Sequence, residues 1–279
     1  MSEPALGPSP ALPEIAPHYD LGVEEPRLSQ GSSQLEFART CEVIARYFPG
    51  PPADVLDIGG GPGVYACWLA RQGYRVQLVD AMPLHVEQAR RASARQPDYP
   101  LAATAVGDAR RLDDADQSAD AVLLMGPLYH LTERSDRLAA WREARRVLRP
   151  GGIVLAAAIS RFASTLDGLR MAAFDDPAFA TIAERDLRDG QHRNPTDDPR
   201  YFTTAYFHHP DELASEAGEA GLRHELTLGV EGPGWFLQNF DDWWSDVGRR
   251  DRLLKVARAV ESEPSLLGLS AHLLTLARK

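Results

Sequence analysis

Across 52–159 short apolar runs alternate with segments whose apolar residues recur every three to four positions. That alternation is the pattern of βαβ units around a parallel sheet covered on both faces. Strands are predicted at 54–58, 75–79, 102–106, 119–124 and 153–159, and helices at 64–72, 83–94 and 135–148. Gly73 suits the position just past the first helix, Pro83 opens the second, and Pro150-Gly151-Gly152 closes the third. Upstream, Leu35, Phe37, Cys41, Val43, Ile44 and Tyr47 predict a helix over 34–48 laid against the sheet. After Ile159 the alternation stops, and 160–210 reads as an inserted cap. A helix at 211–220 and strands at 222–230 and 270–277 follow, the strands separated by a second insertion at 231–269 that holds Trp235, Phe236, Trp243 and Trp244. The expected fold is a doubly wound, mostly parallel, seven-stranded α/β sheet with helical cap insertions, one domain over 18–279 behind a disordered tail at 1–17.

Composition narrows the function classes. Of 279 residues, 44% are hydrophobic and 25% charged, as in an ordinary globular protein. Forty acidic against 30 basic residues leave a net charge of -10, so no basic field is available to hold a nucleic acid backbone. The tail carries five prolines and neither a basic start nor an apolar stretch, which argues against a signal peptide or anchor. The aliphatic run 153–159 is far too short to cross a bilayer, so no membrane partner is expected. Cys41 and Cys67 stand alone, so reduced thiols in the cytoplasm are expected rather than a bridge or a metal site.

The most informative segment is Val55-Leu56-Asp57-Ile58-Gly59-Gly60-Gly61-Pro62-Gly63, where an apolar strand runs through an acid into glycines ahead of a helix. Such a loop lets backbone approach a ligand, and the helix N-terminus offers unpaired N–H groups. A nucleotide-type ligand is implied. Gly61-Pro62-Gly63-Val64-Tyr65-Ala66 also fits the dinucleotide fingerprint, with Asp80 placed to bind a ribose, so an NAD(P)-dependent oxidoreductase is one reading. Asp57 weighs against it: a carboxylate there suits an ammonium group and opposes a pyrophosphate. The dinucleotide reading also leaves Asp108 without a role.

With these landmarks the chain resembles the class I S-adenosylmethionine-dependent methyltransferases, in particular the bacterial group acting on small molecules. The resemblance covers about 54–159 and rests on the glycine segment, Asp80, Gly107-Asp108-Ala109 and Leu148-Arg149-Pro150-Gly151-Gly152. It implies a Rossmann-like fold, S-adenosylmethionine as cofactor, and methyl transfer to a small molecule, placed in specialised metabolism. By that analogy Asp57 helps hold the methionine ammonium, Gly59 and Gly61 pass under the cofactor, Asp80 takes the ribose hydroxyls and Asp108 the adenine amino group, with Ala109 and Met125 beside them. The stretch Met125-Gly126-Pro127-Leu128-Tyr129-His130 lacks the Asn or Asp with two prolines of enzymes that methylate nucleic acid bases. A non-catalytic cofactor-binding regulator stays open, because nothing in a glycine loop reports turnover.

Methyl transfer asks the protein to align the acceptor, exclude water and remove a proton where one must leave. His130, after the fourth strand at the crevice of a doubly wound sheet, is the candidate base. Tyr19 is the candidate lid over the cofactor. Tyr129, Tyr206, His208 and Trp235 are candidates for the substrate wall, Tyr206 and His208 from the first insertion and Trp235 from the second.

Overall fold

Strand β1 (Asp54–Ile58) buries side chains on both faces, and its alternation divides its apolar residues between two cores. Val55 packs with α3 (Ser33–Tyr47), α4 (Val64–Arg71) and α5 (Pro83–Ala94) through Ile44, Leu69 and Val86. Leu56 and Ile58 pack on the opposite face with α7 (Arg134–Val147) and α10 (Pro210–Glu219) through Trp141, Val147 and Leu213. In this computed structural model residues 13–22, 24–196 and 198–279 are described.

Strands β2 (Arg75–Asp80) and β3 (Ala103–Val106) extend the sheet on one side of β1, while β4 (Ala119–Leu124) and β5 (Leu148–Ser160) extend it on the other, all parallel. Of the later strands, β9 (His272–Arg278) runs antiparallel between β5 and β8 (Arg223–Gly229). The seven-stranded order β3-β2-β1-β4-β5-β9-β8 is the expected Rossmann-like sheet, and its order reverses at β1 and β4, where the ligand crevice of such a sheet opens.

Two departures bear on the site. The first insertion is not purely helical: besides α8 (Ala163–Met171) and α9 (Pro177–Asp189) it holds β6 (Gln191–His192) and β7 (Ala205–His208), which bring the sheet to nine strands. Pairing with β4 ends at Ala156, so the last residues of β5 leave an edge, and β7 fills it at Ile159 and Ser160. The expected tail also ends early. Residues 16 and 17 lie in α1 (Ala16–Tyr19), and Ile15 and Tyr19 pack on Met82; residues 1–12 lie outside the described residues. A short α2 (Glu24–Arg27) follows, and α6 (Pro127–His130) caps β4.

The second insertion carries α11 (Phe240–Ser245) and α12 (Val247–Val260); there Phe240, Trp243 and Trp244 form a small core with Leu35 and Leu253. Among the described residues no helix is long and apolar enough to cross a membrane.

Candidate functional site

The glycine turn leaves β1 with its backbone in a conformation that few other residues accept. Gly59, Gly61 and Gly63 have φ of +70°, +55° and +84°. A side chain at Gly59 meets Pro127 Cδ at 2.4 Å, whereas one at Gly61 meets nothing within 4 Å because it points into open space. That space is a crevice of about 1030 Å³, part of it open to solvent, lined by the turn, Asp80, Asp108, Ala109, Met125, Tyr129, His130 and Tyr19.

Each predicted cofactor acid is placed differently. Asp57 is fully buried beneath the turn, not on the crevice wall, and neither of its carboxylate oxygens has a hydrogen-bond partner. Burial and the nearby Asp80 push its carboxyl up to about 7. Asp80 does line the crevice; it accepts from Gly61 N–H and Met82 N–H, each at 2.8 Å, and lies 3.1 Å from His85 Nδ1. Asp108 also lines it, with its carboxylate clamped by Arg110, which donates at 2.6 Å and reaches Asp136 at 2.8 Å. Burial disfavours its charge, but the Arg110 bonds outweigh that and hold it below the usual carboxylate range. The expected contact of Asp108 with an adenine amino group therefore has to compete with Arg110.

Tyr19 and His130 come together across the crevice, although 111 residues separate them. The Tyr19 hydroxyl donates to His130 Nε2 at 2.6 Å, and Nδ1–H points to Thr204 O at 3.5 Å, which sets the tautomer. Burial keeps the Tyr19 hydroxyl protonated, its pKa well above the ordinary value. His130 sits where the sequence places it, but its basicity differs from expectation: burial pushes the imidazole down to about 4, opposed only in part by the Thr204 carbonyl. A base of that strength suits proton removal near neutrality poorly.

Behind Tyr19 and Tyr129 lies a second cavity of about 1110 Å³, again partly open, which shares Tyr19, Glu24, Arg27 and Tyr129 with the first. Phe179, Tyr201, Phe202, Phe207 and Trp235 give it aromatic walls. Trp235 is on the wall of this cavity, its indole N–H donating to Leu269 O at 2.9 Å. Tyr206 and His208 are not. Side chains alternate along a strand, and in β7 Phe207 takes the cavity side, so Tyr206 and His208 face the other way. The Tyr206 hydroxyl donates to Glu212 at 2.9 Å under the Arg137 guanidinium, 3.7 Å above its ring. His208 is fully buried 3.6 Å from Glu216, and that burial lowers its pKa.

A charged cluster on the second cavity lies outside the residues singled out from the sequence. Arg27 donates to Glu24 at 2.7 Å and to both oxygens of Glu36 at 2.6 and 3.0 Å. His272 Nδ1 lies 2.5 Å from Glu231 Oε1 and 3.8 Å from Glu36 Oε2. Ser270 Oγ and the His272 N–H both donate to Glu231 Oε2, at 2.7 and 3.1 Å. Desolvation lowers the pKa of His272, but Glu36 and Glu231 outweigh it and raise the imidazole to about 9. The available signal was Glu36 itself, an acid set between Leu35 and Phe37 on the apolar stripe of its helix.

A family described as a methyltransferase domain matches residues 55–152. The ubiquinone/menaquinone biosynthesis C-methyltransferase UbiE of Acidiphilium cryptum is 35% identical over 112 residues, 40% of this chain and 44% of that protein. The demethylmenaquinone methyltransferase of Beutenbergia cavernae is 33% identical over 147 residues, 53% of this chain and 55% of that protein. The chain spans about half the length of these curated relatives. Among solved structures, an S-adenosylmethionine-dependent methyltransferase from Mesorhizobium loti superimposes with a TM-score of 0.58 at 15% identity, covering 88% of this chain and all of that one. The [4+2]-cyclase SpnF superimposes at 0.54 and 19% identity, covering 86% of this chain and 80% of that one. One fold therefore carries unlike names, and the activity has to be argued from the site.

Proposed function

We propose that this chain, whose residues 55–152 match a methyltransferase domain, is a class I S-adenosylmethionine-dependent methyltransferase that transfers the methyl group of that cofactor to a small molecule held in the second cavity. The observation that carries the reading is Asp57: a carboxylate with two unpartnered oxygens, buried beneath the glycine turn and off the crevice wall, sets a negative charge behind the turn that favours a cationic group in the crevice, as the methionine ammonium is, and opposes a pyrophosphate there. The open direction at Gly61 leaves room for a ligand against the backbone, and Asp80 lines the same crevice for the ribose hydroxyls. The residues present fit the group.

S-adenosylmethionine supplies a methyl bound to a sulfonium, which is its own leaving group. The chain's work is then to bind, orient and exclude water. Tyr19 and Tyr129 stand at the junction of the two cavities, where cofactor and acceptor meet, and the Tyr19–His130 bond fixes the lid. We assign His130 to positioning Tyr19. His130→Asn is expected to raise the Michaelis constant for S-adenosylmethionine by up to about tenfold, the range for one neutral hydrogen bond. The shape of the pH–rate profile above about pH 6 is expected to stay unchanged. Loss of turnover by about a hundredfold together with the acidic limb of the profile would restore His130 as the base.

The acceptor class remains a small molecule of specialised metabolism, in keeping with an aromatic-walled cavity and a net charge of -10 that disfavours nucleic acid. A reducing cytoplasm suits Cys41 and Cys67, both free thiols, with the Cys41 thiol pushed by burial up to about 12. Calorimetry with S-adenosylhomocysteine and NAD tests the cofactor reading. Binding of the sulfur ligand alone is expected, and binding of NAD alone overturns it.

A further inference from the structure

The aromatic walls of the second cavity are interrupted by charged side chains, Asp167 and Arg200 among them beside the Arg27–Glu36–Glu231–His272 cluster, so the polar atoms still free to bond decide which acceptors fit. In that cluster most polar atoms are already used. Both oxygens of Glu36 take hydrogen bonds from Arg27, and both oxygens of Glu231 take them from His272 and Ser270. The Ser270 hydroxyl in turn accepts from the Glu231 N–H at 2.8 Å, so the acid is fixed at both ends. With Nδ1–H given to Glu231, the one nitrogen left on His272 is Nε2, which has no hydrogen-bond partner among the described residues and belongs to a side chain on the cavity wall.

We infer that His272, held as an imidazolium by Glu231 and Glu36, donates its Nε2–H to an anionic oxygen of the methyl acceptor, so the acceptor is an aromatic or similarly flat apolar molecule bearing an ionised phenol, enol or carboxylate. This rests on the reading of the second cavity as the acceptor site.

The charges around His272 favour the assignment. Glu231 follows β8, Glu36 comes from α3, and Arg27 on α2 reaches the cluster through Glu36, while the β5 partner across the ladder is the uncharged Ile159. The two carboxylates facing the imidazole keep it protonated through neutrality, as their raising of its pKa to about 9 requires. An imidazolium beside an acidic hydroxyl favours the ionised form of that hydroxyl. The proton of that hydroxyl leaves to solvent, and the anion, the stronger nucleophile, takes the methyl as the sulfonium S–C bond breaks and S-adenosylhomocysteine is released, so the same donor that selects the acceptor prepares it.

The probes are 4-nitrophenol, whose anion is yellow, and benzoate, added to the protein saturated with S-adenosylhomocysteine, with 4-nitroanisole as the non-ionising control. In the wild type 4-nitrophenol is expected to bind as its yellow anion below the pH at which the free compound ionises. His272→Gln is expected to weaken that binding by roughly tenfold to a hundredfold, the range for a charge-assisted hydrogen bond, with S-adenosylhomocysteine affinity unchanged. Glu231→Gln keeps an acceptor for Nδ1–H while removing the charge, so the pH at which the anion is released should move down from about 9. Benzoate binding that depends on His272, with no binding of 4-nitrophenol, assigns the anionic oxygen to a carboxylate. Equal binding of both anions by the wild type and His272→Gln, or a bound 4-nitrophenol that is colourless, overturns the inference. Failure of S-adenosylhomocysteine to bind the wild type is a separate result and strikes the cofactor reading instead.

Discussion

Arg137→Ala is expected to destabilise the protein by about 3–5 kcal/mol, the cost of breaking a buried ion pair from one side. Arg137 and Glu216 are both almost fully buried, and Nε donates to Glu216 at 2.8 Å while Nη1 donates to Leu131 O and Thr132 O at 3.0 and 2.9 Å. Alanine leaves a buried carboxylate without its counter-charge and removes a donor from both carbonyls, of which Thr132 O keeps the Gln191 amide N–H at 3.1 Å. Because those carbonyls follow directly on α6, the change also loosens the segment that carries Tyr129 and His130. Chemical denaturation of Arg137→Ala and of Arg137→Met with Glu216→Leu checks the cause. The double variant should recover much of the loss, since no charge is left buried alone. Equal loss in both attributes the effect to packing.

The largest expected effect on binding belongs to Asp57→Asn, which should weaken S-adenosylmethionine by roughly tenfold to a hundredfold through loss of the negative charge beneath the turn. The free protein should gain stability. The Asp57 carboxyl is raised to about 7 from an ordinary value of 3.8, so the folded state holds a proton that the unfolded chain gives up. Its stabilising share is then complete below the unfolded value, falls as pH rises toward 7, and is constant above that. At about 1.4 kcal/mol per unit, removing the group stabilises the unliganded protein above pH 7 by a few kcal/mol. Thermal unfolding of both proteins at pH about 5 and about 8 measures the difference. A variant that is less stable than the wild type at the higher pH, with unchanged cofactor affinity, shows that Asp57 has a hidden donor and does not serve the ligand.

What the sequence carried and what it did not divides by distance along the chain. The helix at 83–94 and the strand at 54–58 were legible to the residue, because periodicity and the proline or glycine that bounds each element are local signals. The glycine turn was legible for the same reason. Tyr206 and His208 were misplaced because their side of the sheet depends on how β7 registers with β5, some 48 residues earlier, where Ile159 meets Phe207 and Ser160 meets His208. His130 was located correctly, yet its weak basicity comes from the enclosure completed by Tyr19, 111 positions away. The Glu231–His272 pair joins residues 41 apart across an insertion, and no local pattern announces it.

The most direct test of methyl transfer uses S-adenosylmethionine carrying a deuterated methyl group, incubated with the protein and a metabolite extract and read by mass spectrometry. The account predicts that a small molecule acquires the deuterated methyl while S-adenosylhomocysteine accumulates in step, and that Asp57→Asn slows both. S-adenosylmethionine that binds and is recovered intact with no labelled small molecule, or label found only on protein or nucleic acid, contradicts it.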